Sequence, residues 1–110
     1  MKHDIREDQG VVIVGFDGDV DLQSSPEARD VLLGAVAKGM PILVDLSKVG
    51  YIDSSGVASL VESFQSARKA GTNLALVSIS DGALKVLQLA RLDKVFIICD
   101  TIEDGLVAVK

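Results

Sequence analysis

Tryptophan is absent from this sequence, and histidine and cysteine each occur once, as His3 and Cys99. A Ser-His-Asp hydrolase needs a histidine beside its nucleophile, and a histidine at the third position of the chain is poorly placed for that role. No G-x-S-x-G elbow is present either. One His and one Cys cannot supply the usual nitrogen and sulfur ligands of zinc. The lone cysteine has no partner for an internal disulfide, which points to a reducing, cytoplasmic location. Three phenylalanines and one tyrosine leave no stacking platform for single-stranded nucleic acid. Basic residues are scattered (Lys38, Lys48, Arg68 with Lys69, Lys85, Arg91, Lys94, Lys110), and the net charge is −5 with a pI of about 4.6. A phosphate backbone would find no positive face here, whereas a basic protein surface would meet a complementary charge. No apolar run approaches the roughly 18 residues of a membrane span, so membrane insertion is not expected. Gly10, Gly15 and Gly18 do not fit G-x-G-x-x-G, and no phosphate-loop motif occurs. No cofactor or metal is expected: Asp45, Asp53 and Asp81 could lie at strand ends, but acids there are usually just solvated.

What is present is a folded, mixed α/β pattern in 110 residues, 48% hydrophobic and 25% charged. That length suits one domain spanning 1–110. Val11-Val12-Ile13-Val14-Gly15-Phe16 is a β-branched run after the turn signal Asp8-Gln9-Gly10, and Asp4-Ile5-Arg6-Glu7 can pair with it as a hairpin. Ser24-Ser25-Pro26-Glu27 predicts a helix start with a capping serine, followed by Ala28, Val31, Leu32, Ala35 and Val36 at helical spacing. Gly39 and Pro41 stop it. Ile42-Leu43-Val44-Asp45-Leu46 is nearly continuous in apolar residues, as expected of a strand covered on both faces. A second helix carries Val57, Leu60, Val61, Phe64 and Ala67 and ends at Gly71. Leu74–Val77 predicts a strand, Ser80-Asp81 a third helix through about Arg91, Val95–Ile98 a last strand, and 103–110 a short helix with Ile102, Leu106 and Val109 inward. From Ile42 this is a βαβαβ run, which requires parallel strands and right-handed crossovers. The front hairpin makes the sheet mixed, of about five strands with helices packed against it.

The stretch Tyr51-Ile52-Asp53-Ser54-Ser55-Gly56 raises the functional question. It reads as a helix N-cap, with a Ser or Asp oxygen accepting from orphan N–H groups. It also lies just past a buried strand, at the carboxyl edge where open α/β sheets place their sites. A phosphate on Ser54 would add about −1.5 to −2 charges beside Asp53. The helix N-terminus would tolerate that anion within the domain. A partner's acidic surface would not. Such an asymmetry suits a phosphoswitch.

The pattern of Asp45-Leu46-Ser47, then Ile52-Asp53-Ser54-Ser55-Gly56, then an apolar helix resembles the STAS domain of bacterial anti-sigma factor antagonists. Gly18-Asp19-Val20-Asp21 resembles that family's turn after the second strand, and Leu92-Asp93-Lys94-Val95-Phe96 its entry to the last strand. Gly56-Val57-Ala58 departs mildly where the family often has Gly-Leu and a small residue. The resemblance implies a non-enzymatic binding module. Its partner would be an anti-sigma factor serine kinase with a histidine-kinase-like ATPase fold, held when Ser54 is unmodified and released when Ser54 is phosphorylated. A serine phosphatase would reset phospho-Ser54. Asp21, Asp53, Ser55 and Gly56 would form the partner-binding surface: Asp21 meeting a basic residue, Ser55 structural in the helix start, Gly56 leaving the backbone bare for approach. The same fold implies an alternative, an accessory subunit of a membrane lipid transporter binding its ATPase. A third reading is a sensor holding a nucleotide or phosphate at the strand edge.

Overall fold

In the computed structural model, which describes residues 1–110, the chain opens as the expected hairpin. Strand β1 (Lys2–Asp8) runs antiparallel to β2 (Val11–Asp17) around Gln9 and Gly10, whose φ values of 54° and 78° are both positive. A two-residue turn with both φ positive matches the twist of the strands it joins. Then follow α1 (Ser25–Val36), β3 (Ile42–Lys48), α2 (Ser54–Lys69), β4 (Leu74–Val77), α3 (Asp81–Leu89), β5 (Ile97–Cys99) and α4 (Ile102–Ala108). The sheet order is β1-β2-β3-β4-β5, antiparallel only at the first pair.

Each parallel step moves one strand in the same direction through one helix. Right-handed crossovers then put all three helices on one face. Ala28 and Leu32 of α1, Leu60 and Phe64 of α2 and Leu87 of α3 accordingly share a core with Val12, Val14, Val44 and Leu76. The alternate strand residues Val11, Ile13, Leu43, Ala75 and Val77 point the other way, onto Leu106 and Val109 at the α4 end. Burial from both sides explains why β3 and β4 read as continuous apolar runs. Strand β1 is exposed along its length, and its alternating charges guard a free sheet edge.

Helices α1 and α2 lie side by side through small residues: the Ser59 hydroxyl is within donating distance of the Ser25 carbonyl across the contact, 3.3 Å, and of the Ser55 carbonyl in its own helix, 3.1 Å. At the rim of that contact Arg29 pairs with Glu62 at 2.6 Å. Phe96 packs edge-on against Phe64, centroids 5.1 Å apart, and fastens the segment before β5 to α2.

Three local expectations need correction. The last strand is Ile97–Cys99, not Val95–Ile98, because the N–H groups of Val95 and Phe96 both donate to the Leu92 carbonyl in a helical turn. The third helix ends at Leu89 rather than near Arg91, whose φ of 59° breaks the helix. Ser24 is not the side-chain cap of α1. Its hydroxyl turns back into the preceding loop, accepting from Asp21 N–H and lying within donating distance of the Asp19 carbonyl.

Candidate functional site

The site is assembled where the segments after β2 and β3 leave the sheet. Val20 and Ile52 form an isolated parallel bridge there. The Val20 N–H donates to the Tyr51 carbonyl at 3.0 Å, and the Asp53 N–H to the Val20 carbonyl at 3.1 Å. These bonds carry the Asp21 turn to the start of α2, so two sequence-distant acids become neighbours.

Asp53 is the N-cap of α2. One carboxylate oxygen, Oδ1, accepts the Ser55 N–H at 2.9 Å, the Gly56 N–H at 3.0 Å and the Ser55 hydroxyl at 2.5 Å. Those hydrogen bonds, the Ser55 hydroxyl first, hold the Asp53 carboxyl below the ordinary carboxylate range. Asp21 is built in the same way: its Oδ1 accepts the N–H groups of Gln23 and Ser24, both at 3.1 Å. The Ser24 N–H and then its hydroxyl lower the Asp21 carboxyl, against a weaker opposing influence from the Asp53 charge. Both acids are thus fixed anions, and the pair is spatially real.

Ser54 occupies the first helical position and is exposed, with its hydroxyl outside the hydrogen-bond network that surrounds Asp53. Ser55 is half-buried, its hydroxyl turned toward Asp53. Gly56 is buried, which corrects the expectation that it leaves backbone bare for a partner. A Cβ there would lie 2.6 Å from the Val20 carbonyl oxygen and 2.7 Å from Ile52 Cγ2. Its missing side chain makes room for the protein's own turn.

Beside Ser54 opens an apolar cleft of about 480 Å³ between α2 and α3, lined by Tyr51, Ile52, Val57, Val86, Leu89 and Ala90, with Asp53 and Ser54 on its rim. Tyr51 is 51% exposed and Leu89 78%, and Leu22 in the neighbouring turn is 75% exposed. At the Asp21 turn lies an acidic hollow that includes Asp19, Asp21 and Glu27. Sequence reasoning missed this apolar surface. The signal was Leu89, an apolar residue two positions past Leu87 and therefore off the inward stripe of α3. The candidate acids Asp45, Asp53 and Asp81 are not gathered into a metal-ligating group. Asp45 instead caps its own turn, accepting the Ser47 N–H at 2.9 Å.

A fold of this topology, with an aspartate-capped serine at the start of α2, defines a class, and comparison with known proteins names it. The STAS domain profile matches residues 2–105, and the chain belongs to that family. It is 26% identical over 102 residues to the anti-sigma-B factor antagonist of Bacillus subtilis (strain 168), covering 93% of this chain and 94% of that protein. Among solved structures, an anti-sigma factor antagonist from Mycobacterium paratuberculosis superposes with a TM-score of 0.89 at 26% identity, covering 98% and 92% of the two chains. The phosphorylated form of the Bacillus cell fate determinant SpoIIAA shares the fold, with a TM-score of 0.74 at 19% identity over 99% and 100% of the chains. The family and the mixed, mostly parallel sheet anticipated from the sequence are both correct. The homology is to anti-sigma factor antagonists.

Proposed function

We propose that this chain is a single-domain, cytoplasmic, non-enzymatic anti-sigma factor antagonist switched at Ser54. Unmodified, it sequesters an anti-sigma factor serine kinase of histidine-kinase-like ATPase fold; phosphorylated on Ser54, it releases that kinase, and a serine phosphatase restores it. The observation that carries the reading is the position of Ser54: an exposed, unengaged hydroxyl at the first turn of α2, between an apolar cleft and fixed acids. The antagonist relatives support it, as does a fold shared with a protein solved in a phosphorylated form.

The physics of release is local. Apolar burial in the cleft supplies attraction, and Asp21 and Asp53 favour a basic partner surface. A phosphoryl group at Ser54 brings about two negative charges and a tightly held hydration shell to the rim of that contact. The rest of the molecule needs no change of shape, because the cap on α2 is made by Asp53.

The test uses tagged wild-type, Ser54→Ala and Ser54→Asp proteins as bait in extract of the source organism, with bound proteins identified by mass spectrometry. A histidine-kinase-like ATPase should be retained by wild type and Ser54→Ala and lost, by tenfold or more (roughly 1.4 kcal/mol), with Ser54→Asp. Equal retention by Ser54→Asp refutes the electrostatic switch. A transporter ATPase held by all three baits would replace this reading with the accessory-subunit one.

A further inference from the structure

Two adjacent serines open α2, and a kinase that reaches one could in principle reach the other. Resting on the Ser54 reading above, we infer that Asp53 is the specificity-determining residue that confines phosphorylation to Ser54, by holding the Ser55 hydroxyl as an internal hydrogen-bond donor.

The geometry separates the serines in three ways. Consecutive helix positions point about 100° apart, so an approach aligned on one hydroxyl is not aligned on the next. Ser54 is exposed while Ser55 is half-buried. Most important, the Ser55 hydroxyl lies 2.5 Å from Asp53 Oδ1, the same oxygen that takes the N–H groups of Ser55 and Gly56. Asp53 cannot easily move away, since doing so uncaps α2.

A carboxylate bonded to a serine can either activate the hydroxyl or restrain it. Here the oxygen is already committed to two backbone N–H groups, and its hydrogen bonds lower its proton affinity. An anion so stabilised is a weak base. Restraint therefore prevails over activation. In the transfer itself a serine oxygen attacks the terminal phosphorus of a nucleoside triphosphate and forms an O–P bond. The bond from that phosphorus to the bridging oxygen breaks, the diphosphate leaves with the electron pair, and the hydroxyl proton passes to water or to a base of the kinase. For Ser55 to do this, its oxygen must first abandon Asp53. The polyanionic donor must also come up against that carboxylate at contact distance. Ser54 carries neither requirement.

The experiment incubates wild type, Ser54→Ala, Ser55→Ala, Asp53→Ala and Asp53→Asn with magnesium-ATP in extract of the source organism, and quantifies phosphate at each serine by mass spectrometry. Circular dichroism checks that each variant is folded. Wild type and Ser55→Ala should both carry phosphate on Ser54, and Ser54→Ala should stay unmodified. In Asp53→Ala the Ser54:Ser55 ratio should drop by about ten- to hundredfold, the worth of one charge-assisted hydrogen bond. Asp53→Asn keeps a cap and an acceptor oxygen but loses the charge, so its ratio should fall between those of wild type and Asp53→Ala.

Rapid modification of Ser55 in Ser54→Ala overturns the inference without any Asp53 variant being needed. So does an unchanged ratio in folded Asp53→Ala, or loss of modification at both serines there, which would make Asp53 a docking residue. These outcomes leave the Ser54 switch intact. Absence of phosphate from both serines in wild type overturns the switch reading and this inference with it.

Discussion

Gly56 is the residue at which two opposing effects can be weighed. Replacing a helical glycine by alanine ordinarily stabilises by about 1 kcal/mol. Here the new methyl would meet the Val20 carbonyl oxygen at 2.6 Å, and that carbonyl is pinned by the Asp53 N–H. Overpacking of this kind costs about 1–3 kcal/mol, so Gly56→Ala should come out destabilised, read as a lower urea midpoint. The neighbouring acids set the pH response. Asp21 and Asp53 have folded values below the ordinary carboxylate value of 3.8, so they favour the folded state fully above that value. As pH falls through it the unfolded chain takes up protons that the folded chain refuses, and stability declines until the folded values are passed. Asp53→Asn should flatten that acid limb in denaturation midpoints measured from about pH 5 downward. Cys99 runs the opposite way: burial, then the charges of Asp104 and Asp100, push its thiol up. It should react with a thiol reagent at pH 7.5 more slowly than free cysteine, because less of it is thiolate.

At the scale of elements, the cleft between α2 and α3 separates binding from stability. Leu89 faces solvent, so Leu89→Ser should alter the unfolding free energy by no more than about 0.5 kcal/mol. On the function proposed above, the same change should weaken capture of the partner severalfold, since it removes an exposed wall of the cleft beside Ser54. Leu87, two residues earlier, is fully buried. Leu87→Ala should cost about 2–5 kcal/mol by thermal or urea unfolding. A pair of variants on one short helix thus distinguishes the proposed docking surface from the surface that folds.

At the scale of the whole molecule, a net charge of −5 and the acidic hollow at the Asp21 turn predict salt-sensitive association. Raising ionic strength from about 0.01 to 0.15 M shortens the Debye length from about 30 to 8 Å. The association rate with a basic partner should therefore fall in stopped-flow measurements while the dissociation rate changes little. The sheet is covered unevenly: three helices on one face, and one helix of seven residues on the other. Leu106 and Val109 bring a disproportionate share of that thin cover, together with a Lys110–Gln9 hydrogen bond that ties the tail to the hairpin turn.

Much of this architecture is legible in the amino-acid order, because helix and strand periodicity and turn chemistry are local properties. The β-branched run 11–16, the apolar strands 42–46 and 74–77, the Gln9-Gly10 turn and the Asp53–Gly56 helix start are all written in neighbouring residues. A βαβ order then leaves one handedness, and so one face for α1, α2 and α3. What sequence order could not decide is which of several eligible groups takes a bond. Ser24 stands at the start of α1 as a serine cap should, yet its hydroxyl goes to Asp21 and Asp19 of the preceding turn. The bounds of β5 depended on Leu92 capturing two N–H groups, and the role of Gly56 on a carbonyl that arrives from thirty-six positions earlier in the chain. The apolar cleft beside Ser54 exists only because two helices separated by β4 come to lie side by side. Local pattern determined the elements and the Asp53–Gly56 helix start, including the Asp53 bond that engages the Ser55 hydroxyl; tertiary contact decided what surrounds that start, since the Val20 turn and the α3 wall of the cleft come from distant parts of the chain.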